Sequence, residues 1–166
     1  KILEKVPRAL FFEIEVDYSQ TAAEMVEASG FGYHDVDETN LDASVIPVTL
    51  GKPAGKVGKV KKEIVLISLS VLSSFEDVLV TRIFSFLEEL DLSPVFAEDL
   101  LAFLKDYGKR LGEFNLPRRL LALGTRWQGK KEEKNILRLS YSGLCSWVSD
   151  GEDAFGRSHW ILAHFN

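Results

Sequence analysis

The side chains best suited to covalent chemistry lie in the last third of the chain, where the one cysteine, Cys145, shares a stretch with His159 and His164. A thiol nucleophile needs a base within hydrogen-bond reach, and imidazole can serve as one. Cys145 sits in Ser142-Gly143-Leu144-Cys145-Ser146-Trp147, an apolar aromatic run in which a free cysteine behaves as a small buried hydrophobe. The local signature of known cysteine proteases, in particular a Trp directly after the Cys, is absent. In a strand, Cys145 and Trp147 share one face, and the aromatic neighbour directs the sulfur to the core. His159 and His164 are five residues apart, so a straight strand points them to opposite faces and they cannot grip one ion together. A cysteine-dependent enzyme using Cys145 with His159 or His164 is the alternative reading. No metal or cofactor is expected.

Residues 51–62 carry five lysines (Lys52, Lys56, Lys59, Lys61 and Lys62), three glycines and a proline without one acid. A Walker loop needs four residues between its glycines and a hydroxyl after its lysine. Here three intervene between Gly51 and Gly55, and Val57 stands where the hydroxyl belongs. The expected state is a mobile loop or hairpin tip that blunts an edge strand, with contact to a nucleic-acid phosphate backbone or an acidic partner as its functional reading. The acids Asp35, Asp37, Glu38 and Asp42, and the run from Asp150 to Gly156, read as solvated connections because neither has the spacing of a calcium loop. Trp127, Trp147 and Trp160 remain. Tryptophan joins a large apolar surface to a single donor and dominates interface hot spots, so these three are the candidate partner surface.

The elements that position these groups follow from periodicity. Phe12, Ile14 and Val16 alternate with Glu13, Glu15 and Asp17, which predicts a half-buried strand over 10–17. A helix over 21–29, capped by Ser19 and stopped by Gly30, comes next. Residues 44–50 read as an edge strand because Pro47 has no N–H to give, and 62–71 as the central strand, apolar on both faces. Phe75, Leu79, Ile83, Phe86, Leu87 and Leu90 recur at helical spacing, with Ser74 as the cap; a second helix over 97–111 buries Leu100, Leu101, Leu104 and Tyr107. These two are expected to form an antiparallel hairpin against one face of the sheet. Four aromatic-rich strands then fill 118–166. The expected fold is α+β: one domain over 1–166, a mainly antiparallel sheet on a helical hairpin in 9–117, closed by the β-rich part in 118–166.

Net charge is −5, with 46% hydrophobic and 27% charged residues, which suits a globular protein and argues against one that coats nucleic acid over its whole surface. No run reaches the length of a membrane span. The opening Lys1-Ile2-Leu3-Glu4-Lys5 has neither an apolar signal region nor an initiating Met, so a trimmed end is expected. A lone cysteine requires no oxidising compartment, which makes the cytoplasm the expected location.

Phe12 to Tyr18 followed by Ala23-Glu24-Met25-Val26, the stretch around Ser93-Pro94, Glu98, Leu100 and Leu101, and Leu121-Ala122-Leu123-Gly124-Thr125-Arg126-Trp127 together resemble a family of small bacterial hypothetical proteins common in metagenomes. The resemblance covers 11–127, with Ala122-Leu123-Gly124 and Trp127 as its most specific piece. Members end in a basic tail, whereas this chain ends His159-Trp160-Ile161-Leu162-Ala163-His164-Phe165-Asn166. The resemblance implies one bacterial domain, and it implies no activity, cofactor or site. With no spaced catalytic set, the expected function is a non-enzymatic binding or regulatory domain whose protein partner meets the aromatic strands or the acidic loop.

Overall fold

Alternation in the first strand sets the architecture. β1 (Leu10–Asp17) buries Phe12, Ile14 and Val16 on one side. It pairs antiparallel with β3 (Lys59–Ser68), Leu10 opposite Leu66 and Asp17 opposite Lys59. The computed structural model describes residues 2–34, 46, 58–73, 76–128, 134–148 and 154–166. The expected acidic loop, edge strand 44–50, Lys52, Lys56, the Ser74 cap and the connection 150–153 lie outside these residues.

Among the described residues β3 is a central strand, with β1 on one side and β10 (Trp160–Phe165) on the other. The order is β1-β3-β10-β6-β7-β8-β2, where β6 is Leu120–Gln128, β7 Lys134–Ser140, β8 Gly143–Val148 and β2 Tyr33–His34. The sheet is mostly antiparallel but mixed, because β10 runs parallel to β6 and β2 parallel to β8. β4 (Val78–Leu79) and β9 (Ala154–Phe155) form a separate two-stranded pair.

α2 (Ala22–Ser29) is capped by Thr21, whose hydroxyl accepts the Glu24 N–H; Ser19 instead bonds back to Asp17. Gly30 ends the helix at φ 80°, a left-handed conformation that glycine adopts without steric cost. α1 (Ile2–Lys5) precedes β1. No helix among the described residues is long and apolar enough to cross a membrane.

The expected helical hairpin is not what the structure holds. α3 (Val80–Glu89) sends Ile83 and Leu87 into a core with Val65, Ile67, Leu121 and Ile161. α4 (Ala97–Tyr107) sends Leu100, Leu101 and Leu104 into another with Ile64, Leu66, Leu120 and Leu162. Successive strand residues face opposite sides, so the two helices cover opposite faces. Between them, β5 (Leu92–Pro94) pairs antiparallel with the end of β10, after Asp91 turns the chain at φ 58°. The residues that resembled a hairpin turn are a strand that carries the chain from one layer to the other.

β5 crosses against β6 at Gly124, whose N–H donates to the Val95 carbonyl at 2.8 Å. A Cβ there would stand 2.5 Å from the Pro94 oxygen and 2.6 Å from the Val95 oxygen. Both are backbone atoms and cannot rotate away. Gly124→Ala is expected to cost about 2 to 3 kcal/mol through this overpacking, read as a lower urea midpoint at unchanged slope; a loss under about 0.5 kcal/mol would mean that the crossing is soft.

Candidate functional site

The strand alternation that buries Ile64 and Leu66 beneath α4 also puts Lys62 on that face. Its ammonium lies 3.0 Å from the Asp99 carboxylate; the lysine side chain is 19% exposed and the aspartate 0%. The same nitrogen sits 5.5 Å from the Tyr18 ring centre and 5.8 Å from that of Phe96. Burial works to lower the Lys62 pKa, but the Asp99 charge and hydrogen bonds to Tyr18 and Asp99 outweigh it and hold it above the ordinary value. Burial raises the Tyr18 hydroxyl pKa against the opposing Lys62 hydrogen bond.

The N-terminus of α4 depends on partners that are distant in sequence. Phe96, at the cap position, has no side-chain acceptor, so Thr125 of β6 accepts the Ala97 N–H at 2.8 Å. Asp99 accepts the Phe96 N–H at 3.0 Å with the oxygen that Lys62 does not take. These bonds satisfy donors that a helix start leaves open. One group is left over. Glu98 is fully buried, and neither carboxyl oxygen has a hydrogen-bond partner among the described residues. Desolvation is the main cause that pushes its pKa up to about 8, with the Asp99 charge adding to it and the Lys62 charge opposing.

Among the described residues, Lys59 and Lys61 share the exposed face of β3 and Lys62 lies on the opposite one. Lys59 and Lys61 belong to β3 and stand opposite Asp17 and Glu15 of β1, while Lys62 points inward. Lys61 also reaches Glu13 at 3.9 Å with both side chains exposed, a contact of little energetic weight. The expected loop therefore ends before Lys59, because the β1 acids give these lysines cross-strand partners.

Cys145 is not brought to His164, the register pairing its backbone instead with His34 of β2. Cys145 is in β8 and His164 in β10, with β6 and β7 between them; three strand spacings amount to roughly 14 Å. The thiol is 5% exposed; it accepts from Arg138 Nε at 3.2 Å and faces the Ser140 hydroxyl at 3.7 Å. His159 donates from Nδ1 to the Gly156 carbonyl, and burial is the main cause of its lowered pKa. His164 stacks on Phe96 at 5.8 Å and donates from Nδ1 to the Phe165 carbonyl. The cysteine was expected against apolar aromatics, yet its polar neighbours suit a hydroxyl equally. Cys145→Ser is therefore expected to change stability by less than about 1 kcal/mol, as measured by urea unfolding; a loss above about 2 kcal/mol would contradict that environment. No group of three or more His, Cys, Asp or Glu among the described residues has the arrangement of a metal site.

The three tryptophans divide. Trp127 is 9% exposed and part of the core beneath α4. Trp147 contributes its backbone to β8, and its side chain lies outside what is described. Trp160, half-buried at the start of β10, forms one wall of a recess of about 230 Å³ with Val6, Pro7, Arg8, Ser68 and Val71. Val71 is 42% exposed there. The recess joins the segment after α1, the end of β3 and the start of β10. No signal in the sequence marked Val6, Pro7 or Arg8 as its other wall, and none marked Glu98 as the buried acid. No protein-family model, curated protein or solved structure matches this chain.

Proposed function

We propose that the chain is a non-enzymatic binding domain that takes an apolar side chain of a protein partner into the recess at Trp160. One observation carries the reading: a half-buried indole walls an open, mostly apolar recess of about 230 Å³. That volume falls below the roughly 300 to 1,000 Å³ of sites for drug-sized ligands, and it suits one anchoring side chain. Tryptophan beside an apolar hollow is the usual composition of an interface hot spot. Among the described residues lining the recess, Arg8 is the one that carries a charge. Charge complementarity then favours an acidic residue beside the anchor.

The test is selection from a phage-displayed random dodecapeptide library on the wild-type chain and on Val71→Asp and Arg8→Glu, both altered outside the core. The wild type is expected to enrich peptides with a bulky apolar residue next to Asp or Glu, and Val71→Asp to lose them. Arg8→Glu should shift the flanking preference to Lys or Arg. Equal enrichment on all three proteins, or none on the wild type, would refute the recess as the partner site.

A further inference from the structure

Independently of the Trp160 recess, five glycines and two cations line an open groove of about 540 Å³. It lies between the end of α2, the 3-10 turns over Gly108–Phe114 that follow α4, the segment leading into β6 and the β7–β8 turn. Among the described residues lining it, Lys109 and Arg118 are the two that carry a charge, and both are exposed. Neither takes part in an ion pair among the described residues, whereas Arg110, next to Lys109, is held by Glu113 at 3.7 Å. The groove wall sets the place of each. The Arg118 guanidinium lies 5.0 Å from the centre of the Phe31 ring. That ring lies against Gly108, where a Cβ would come within 2.5 Å of its edge. Lys109 runs past Gly30, its Cε 3.7 Å from where a Cβ would stand. The two cationic side chains therefore lie against consecutive residues of one wall.

We propose that this groove binds a sugar phosphate, with the phosphate held by Lys109 and Arg118 and the hydroxylated skeleton by the glycine backbone. A phosphomonoester carries close to two negative charges at pH 7, which two such cations match. Arginine presents a planar fork that meets two phosphate oxygens at once, and the Phe31 ring holds that fork in place. The volume falls within the roughly 300 to 1,000 Å³ of small-molecule sites, so there is room for more than the phosphate. Glycines leave backbone N–H and C=O groups uncovered along the walls, with the Ser142 hydroxyl beside them. Such walls suit hydroxyl groups better than hydrocarbon. A stacked nucleic-acid base is a poorer fit, because the Phe31 ring is half-buried and already carries Arg118.

The experiment titrates the protein with ribose 5-phosphate, ribose, inorganic phosphate and a short oligothymidylate, at equal ionic strength, and follows the binding heat. Ribose 5-phosphate is expected to bind saturably and at least about tenfold more tightly than inorganic phosphate, and ribose to give no heat. Arg118→Gln and Lys109→Gln, both at exposed positions, should each lower the affinity for ribose 5-phosphate at least about tenfold. Lys61→Gln removes an exposed cation that does not line the groove and should leave that affinity unchanged. No binding by the wild type, equal affinity for ribose 5-phosphate and inorganic phosphate, tighter binding of the oligothymidylate, or an equal loss in Lys61→Gln would overturn the proposal.

Discussion

Lys62→Met is expected to destabilise the protein by about 3 to 5 kcal/mol, the cost of stripping a buried carboxylate of its partner. Asp99 is fully buried, takes the Lys62 ammonium on one oxygen and the Phe96 N–H on the other, and holds the first turn of α4 in place. Methionine matches the hydrocarbon of lysine and fills the space against Tyr18 and Phe96, so the loss isolates the charge. The double variant Lys62→Met/Asp99→Leu should recover a large part of the loss, because two apolar groups leave no stranded ion. Urea unfolding at pH 7 reads both values. A single-variant cost below about 1 kcal/mol would mean that solvent screens the pair as it does a surface bridge.

Glu98→Gln is expected to make stability less dependent on pH. Glu98 has a folded pKa near 8, raised from an ordinary 4.5 mainly by burial. Between those values the folded state holds a proton that the unfolded chain releases, so stability falls as pH rises. The contribution of the neutral acid is therefore complete below about pH 4.5 and gone above about pH 8. At about 1.4 kcal/mol per unit, the ceiling of the loss is about 5 kcal/mol. Glutamine does not ionise and should stay level through this range, so the two proteins should converge at pH 5 and diverge at pH 9 in thermal unfolding. Parallel curves would show that Glu98 ionises freely in the folded state.

The sequence made β1 and α2 legible because their signals are local. Phe12, Ile14 and Val16 alternate with acids, and Gly30 stands where the helix must stop; both elements end within a residue of their expected bounds. The layer arrangement was illegible for a physical reason. An apolar stripe on α3 or α4 states that a face is buried but not against which side of a sheet, and three residues, Leu92 to Pro94, read as a turn until they pair with β10. Lys62 was grouped with loop lysines by composition, although its partner lies 37 positions away. Glu98 has the look of an acid placed near a helix N-terminus to meet the dipole. Its burial depends on β1 and α2 closing over it, which no local pattern records. The tryptophans were legible as candidates, and their separation into core and recess was not.

The binding reading rests on Trp160, and one measurement isolates it. A chain carrying Trp127→Phe and Trp147→Phe emits from Trp160 alone. Titrated with a library-selected peptide that bears an apolar residue beside an acid, its emission is expected to shift to shorter wavelength and saturate at the Kd found by calorimetry, with the shift lost in Val71→Asp. Peptide binding of undiminished strength with unchanged Trp160 emission would place the partner elsewhere and contradict the account.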